Sequence, residues 1–259
     1  MRSQLERKRL SEHVYAAEQS EKGLGWSNSG LVTAGGGLVV DTLYDLKLTR
    51  QMLDLYAEVH PAAPTRLVNT HHNGDHCWGN QLFPGAEIIA HRGCADRFDG
   101  FSPAGAEAIR TMADPPVHLP DEGVVLCGDV LFHRCAPIGW EGSTDRWIAA
   151  LRRIEDLAPE HVVPGHGPLC GVDGVVSARR YLEDVQRAAT DGWKAGKTVL
   201  EACAEIDLGP FADWDEPWRL AANVHRVYRE CDGAGWDDPY DAAQVMTDVR
   251  TLKGRFGRD

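Results

Sequence analysis

The chain has 259 residues, long enough for one α/β domain with a substantial core or at most two small ones. Its 27 basic and 39 acidic residues leave a net charge of −12, which disfavours a nucleic-acid or anionic-membrane surface, and its 43% hydrophobic content is that of a soluble globular protein. Seven cysteines without a Cys-x-x-Cys pair read as reduced thiols of a cytoplasmic protein rather than a disulfide framework.

The first ten residues are charged and lack the apolar stretch of a secretory signal, and no run approaches the ~20 apolar residues of a membrane span. From residue 12 the pattern is β. His13–Ala17 reads as an edge strand, and residues 29–34 and 37–42 read as a hairpin around Gly35-Gly36-Gly37, where glycine supplies positive φ. Apolar residues at Leu46, Leu48, Met52, Leu55, Tyr56 and Val59 have helical spacing, closed by Pro61 and Pro64. Arg66-Leu67-Val68-Asn69 is a short apolar strand. It runs into Thr70-His71-His72-Asn73-Gly74-Asp75-His76-Cys77-Trp78-Gly79-Asn80, which packs three imidazoles and a carboxylate into six residues. Neutral imidazole and carboxylate suit zinc, and also iron or manganese, and a strand end is a stiff support for them.

Further on, residues 86–91 read as a strand, with His91 a structural rather than a ligating residue, and Ala104–Met112 as a helix. His118 reads as a strand residue before the Asp121-Glu122-Gly123 turn. Val124–Phe132 is an apolar strand interrupted by Gly128-Asp129, and an aspartate there is costly to bury unless it is paired or bound to a metal. Ser143 or Thr144 begins a helix with Trp147, Ile148, Leu151, Ile154 and Leu157 on one face. The strand His161–Val163 then leads into a Pro-Gly turn holding His166. Beyond residue 173 the pattern is helical over 175–185, 199–206 and 217–230, with Trp193, Trp214, Trp218 and Trp236; residues from Asp237 on read as polar and loosely held.

Taken in this order, the motif around His71, the Gly-Asp strand and the closing His166 resemble the metallo-β-lactamase superfamily over roughly residues 25–190. The resemblance implies an αββα sandwich of two mixed sheets flanked by helices. It divides the chain into a superfamily domain over 1–190, shortened around 92–120, and a helical C-terminal extension over 191–259. It implies His71, Asp75, His76, Asp129 and His166 as metal ligands, with Asp75 and Asp129 as the catalytic carboxylates.

Two departures stand out. Asn73 occupies the place of the motif's second histidine. The family's middle histidine has no counterpart in the 37 residues between His91 and Asp129. The join at Asp114-Pro115-Pro116 reads as if strands present in relatives had been left out. The expectation is therefore one divalent ion per chain, zinc first and iron or manganese as alternatives. Asn73 and His133 are weaker candidate ligands, Asp41 either supports a histidine ligand or caps a helix, and no organic cofactor is implied. Trp78 and Trp140 either wall an apolar pocket around the metal or belong to the core.

The chemistry implied is hydrolysis by a metal-bound hydroxide, acting on an ester, lactone, thioester or amide of a small molecule. The competing expectations are a catalytically degenerate relative that only binds, and a mononuclear iron redox enzyme. The expected partner is a small-molecule substrate; the C-terminal part either covers the pocket or forms a contact with a second copy of the chain, and neither nucleic acid nor membrane is expected.

Overall fold

The computed structural model describes residues 5–19, 25–94, 109–111, 117–139, 142–236 and 238–256. Its residues cluster into two compact units, Met1–Leu131 with Ala158–Val172, and Phe132–Leu157 with Asp173–Asp259.

The first unit is built on a seven-stranded sheet: β1 (Leu5–Arg9), β2 (Val14–Gln19), β3 (Ser29–Val32), β4 (Leu38–Val40), β5 (Arg66–Asn69), β6 (Glu87–Ala90) and β7 (Ile109–Thr111), paired in that order. Pairing is antiparallel from β1 to β4 and parallel from β4 to β7, so the sheet is mixed. A second sheet has the order β10 (His161–His166), β9 (Val124–Phe132), β8 (Val117–Leu119).

Strand alternation divides the apolar residues between two cores. Val14, Ala16, Val32, Val40 and Val68 face Val124, Leu126 and Val163, which fills the space between the sheets. Their neighbours Ala17, Leu31, Val39 and Leu67 face the opposite way, onto Leu48, Met52 and Tyr56 of α1 (Leu46–Ala57). Gly30 permits the close approach of the sheets, since a Cβ there would lie 1.8 Å from a Leu126 methyl.

The second unit is helical: α3 (Thr144–Asp156), α4 (Val172–Lys194), α5 (Val199–Glu205), α6 (Leu220–Cys231) and α7 (Ala242–Phe256), with α2 (Gly74–Cys77) belonging to the first unit. Tyr181 stacks on Trp214 at 5.3 Å between ring centroids, with Phe211 edge-on to both. Arg179 ties α4 to α3 through Glu155 at 2.6 Å.

Several expectations change. Charged Leu5–Arg9 is a strand, held against β2 in register. At Ile109–Thr111 the backbone is a strand where a helix was expected, because parallel pairing to β6 outweighs local propensity; the rest of 104–112 lies outside the described residues. The segment after Asp237 is not loose: α7 buries Val245, Val249 and Leu252, an i, i+4, i+7 stripe. Ser143 is the N-cap residue of α3 without a side-chain cap bond; Glu230 instead accepts from the Thr144 N–H at 2.8 Å. Trp140 lies outside the described residues.

Candidate metal centre

β5 delivers the motif. Its last residue, Asn69, and Thr70 are buried, and the chain then makes the single turn of α2, which carries Asp75 and His76. The loop is tied down from both sides. Asn69 Nδ2 and the Thr42 N–H both donate to the His76 carbonyl, at 3.0 and 2.9 Å, and Asn80 Nδ2 donates to Asn69 Oδ1 at 2.7 Å. The second sheet supplies the remaining donors: Asp129 from β9 and His166 from the end of β10.

Asp129 lies at the middle of the cluster. Its Oδ1 lies 3.1 Å from His76 Nε2 and 3.0 Å from His166 Nε2, and its Oδ2 lies 3.4 Å from His71 Nε2. Asp75 Oδ2 stands 3.5 Å from His166 Nε2 and 3.9 Å from His76 Nε2. Two sets of donors therefore converge within 4.8 Å: His71, His76 and Asp129, and Asp75, His76 and His166. His133 and His91 are in neither set. His91 is exposed and its Nδ1 accepts from the Gly93 N–H. Asn73 is the N-cap residue of α2, and its side chain makes no cap bond.

Close approach here depends on glycine. Gly128 takes φ +51, and a Cβ on it would lie 2.3 Å from Thr70 Oγ1. A Cβ on Gly165 would lie 2.4 Å from Asp129 Oδ1. Any side chain at either position would push β9 and β10 off the ligand loop.

Asp41 supports the centre from beneath. It is buried, with φ 61, and its carboxylate accepts from Thr70 N–H at 2.8 Å, from Thr70 Oγ1 at 2.7 Å and from His76 Nδ1 at 2.9 Å. That last contact protonates Nδ1 and directs the Nε2 lone pair at Asp129 and Asp75. His166 is turned the same way by the Trp26 carbonyl, which accepts from its Nδ1. Ser27 Oγ donates to the Asp75 carbonyl, and Asn28 Nδ2 holds the His166 turn through the carbonyls of Pro164 and Gly167, at 3.0 and 2.8 Å. Trp26, Ser27, Asn28 and Thr70 are the functional residues that sequence reasoning missed. Nothing in their residue types sets them apart from ordinary loop residues.

The electrostatics are those of a site suited to a cation. Burial favours the neutral imidazole at His76, but Asp129 and Asp41 outweigh it and raise its pKa well above the ordinary histidine range. Burial likewise opposes the Asp129 carboxylate, but His166, His76 and His71 outweigh it and hold it well below the usual carboxylate range. His71 Nε2, His76 Nε2 and Asp129 Oδ1 are buried and make no hydrogen bond. Buried polar atoms without a hydrogen bond are rare, and a metal ion satisfies all three at once.

Imidazoles and carboxylates borne on strand ends between two packed sheets thus converge in one cluster that could hold a metal ion. The model of the metallo-β-lactamase superfamily matches residues 23–116. The chain is 28% identical over 186 residues to a hydroxyacylglutathione hydrolase of Microcystis aeruginosa, covering 58% of this chain and 71% of that protein. It is 23% identical over 253 residues to one from Nostoc sp., covering 84% and 90%. Among solved structures, a metallo-β-lactamase from Pontibacter korlensis superposes with a TM-score of 0.58 at 17% identity, over 70% of this chain and 99% of that one. The chain has the αββα fold of that structure.

Proposed function

We propose that the chain is a single-ion hydrolase of an acyl thioester or ester, with His71, Asp75, His76, Asp129 and His166 as the donor set. The observation that carries this reading is the convergence of buried, unbonded His71 Nε2, His76 Nε2 and Asp129 Oδ1 in one cluster. The kinship to hydroxyacylglutathione hydrolases supports a thioester within the wider range of esters, lactones and amides.

One ion is the reading that the geometry supports. The two donor sets share His76, whose Nδ1 is engaged by Asp41, so only its Nε2 lone pair is open. One lone pair serves one ion. Zinc suits the imidazoles, while the two carboxylates also accommodate iron or manganese. A divalent ion bound there would polarise the scissile carbonyl and acidify water at neutral pH. Asp129, set among three imidazoles, is a poor proton acceptor. Asp75, with its longer contacts of 3.5 and 3.9 Å through Oδ2, is the carboxylate whose other oxygen is left to take the proton of the attacking water. Reduced thiols and the acidic surface are in keeping with a cytoplasmic enzyme of small substrates. Among the described residues no helix is long and apolar enough to cross a membrane.

The test combines elemental analysis with turnover. Purified protein is expected to hold about one equivalent of metal and to hydrolyse a hydroxyacylglutathione thioester or a simple acyl thioester. His166→Ala is expected to lose both. Metal bound without turnover of any thioester, ester or lactone would replace the hydrolase by a binding protein. Oxygen consumption by an iron-loaded sample would replace it by a redox enzyme.

A further inference from the structure

Most large apolar side chains of the first unit are covered, but Trp78 is 53% exposed and Tyr44 43% exposed. These two touch each other, with ring centroids 5.0 Å apart and planes tilted by 43°. Both are seated on bare backbone. A Cβ on Gly74 would lie 2.2 Å from the Trp78 indole, and one on Gly25 would lie 2.6 Å from the Tyr44 ring. Two exposed rings packed on glycines and on each other are held in place, unlike solvated side chains free to swing.

Their seats adjoin the donor cluster. Gly74 precedes Asp75, and Trp78 follows His76 by two residues. Gly25 precedes Trp26, whose carbonyl orients His166, and Ser27 binds the Asp75 carbonyl. Tyr44 lies three residues beyond Asp41, which orients His76. The pair thus joins the chain segments that carry or orient Asp75, His76 and His166. Among the described residues, the ionic partners of Asp41, Asp75 and Asp129 are all imidazoles. Among the described residues no Lys or Arg pairs with these carboxylates. A fixed aromatic surface beside such a site recognises neutral planar or apolar groups.

We infer that Tyr44 and Trp78 form a platform for the acyl part of the substrate, and that the enzyme prefers an aryl or extended apolar acyl group over a short one. The inference rests on the proposed metal centre, and its kinetic arm rests on the hydrolase reading as well.

Zinc-loaded protein carrying 5-fluorotryptophan is titrated with phenylacetate and with acetate, and the Trp78 resonance is assigned by its loss in Trp78→Phe. The expected result is a shift of the Trp78 signal with phenylacetate and tighter binding of phenylacetate than acetate by about tenfold. In Trp78→Ala that ratio is expected to fall towards one, with metal content and Tm as controls for folding. In parallel, kcat/KM is compared for phenylacetyl and acetyl thioesters of N-acetylcysteamine, and the ratio is expected to collapse in Trp78→Ala. Equal binding of the two acids by the wild-type protein, or an undiminished preference in Trp78→Ala, overturns the platform. Absence of any hydrolysis with the binding preference intact overturns the hydrolase reading and leaves the platform standing.

Discussion

Replacing Asp41 by Asn tests how the centre is held together. The carboxylate accepts from Thr70 N–H, Thr70 Oγ1 and His76 Nδ1 in a buried site. In Asp41→Asn the amide oxygen can still serve Thr70 N–H, but the amide NH₂ then faces His76 Nδ1. The imidazole must present a lone pair there and carry its proton on Nε2, which removes the lone pair meant for the ion. Loss of such an orienting partner typically costs 10–100-fold in metal affinity. Loss of charge-assisted hydrogen bonds adds about 2 kcal/mol of destabilisation. Asn tolerates the left-handed backbone at φ 61, so the backbone term stays small. Asp41→Ala adds that term, about 1–2 kcal/mol, and leaves buried donors unpaired at about 1–3 kcal/mol each. Asp41→Gly removes the conformational part alone. The assay is chelator competition for zinc affinity, with urea melts for stability. An Asp41→Asn protein that binds zinc as tightly as wild type would refute the orienting role.

Other consequences follow from the same geometry. Zinc at about a hundredfold over its Kd stabilises the fold by about 2.7 kcal/mol, or a rise in Tm of roughly 5–10 °C, read by scanning calorimetry before and after chelation; His166→Ala is expected to show little of this rise. Gly30→Ala would place a methyl 1.8 Å from Leu126 between the sheets and cost about 1–3 kcal/mol, seen as a lower urea midpoint. Thiol titration at pH 8 should find Cys170 and Cys231 reactive and the rest slow, with all seven reacting in urea. Burial pushes the Cys94, Cys135 and Cys203 thiols up to about 12, and a thiol held protonated is a poor nucleophile. Fast labelling of five or more sites in native protein would contradict that burial.

How much of this could be read from the chain alone depends on what kind of atom does the work. The donors were legible because their types are costly or unusual where they stand: an aspartate inside the apolar run of β9, and two histidines with an aspartate at the end of β5. The apolar pairs Val39-Val40 and Leu67-Val68 were legible as strands, but that each pair serves two cores follows only from the sheet that sends neighbours to opposite faces. The C-terminal helix α7 was not legible, because three buried apolar residues in fifteen leave a weak stripe among polar neighbours. Trp26 acts through its backbone carbonyl, which any residue offers, and Gly165 acts by what it lacks. Such roles are set by where distant segments meet, and that is a property of the fold.

Trp78 shows the same limit from the other side. Its position within the motif is evident, yet core and pocket wall were equally good readings of an apolar ring two residues after a ligand. Its exposure sets aside the core reading. Cys77 is buried and Gly79 closes against Thr49, so the chain around Trp78 is fixed while the indole itself is left 53% exposed over Gly74. Single exposed apolar rings are ordinary on a protein surface, so the pocket-wall reading stands or falls with the phenylacetate titration.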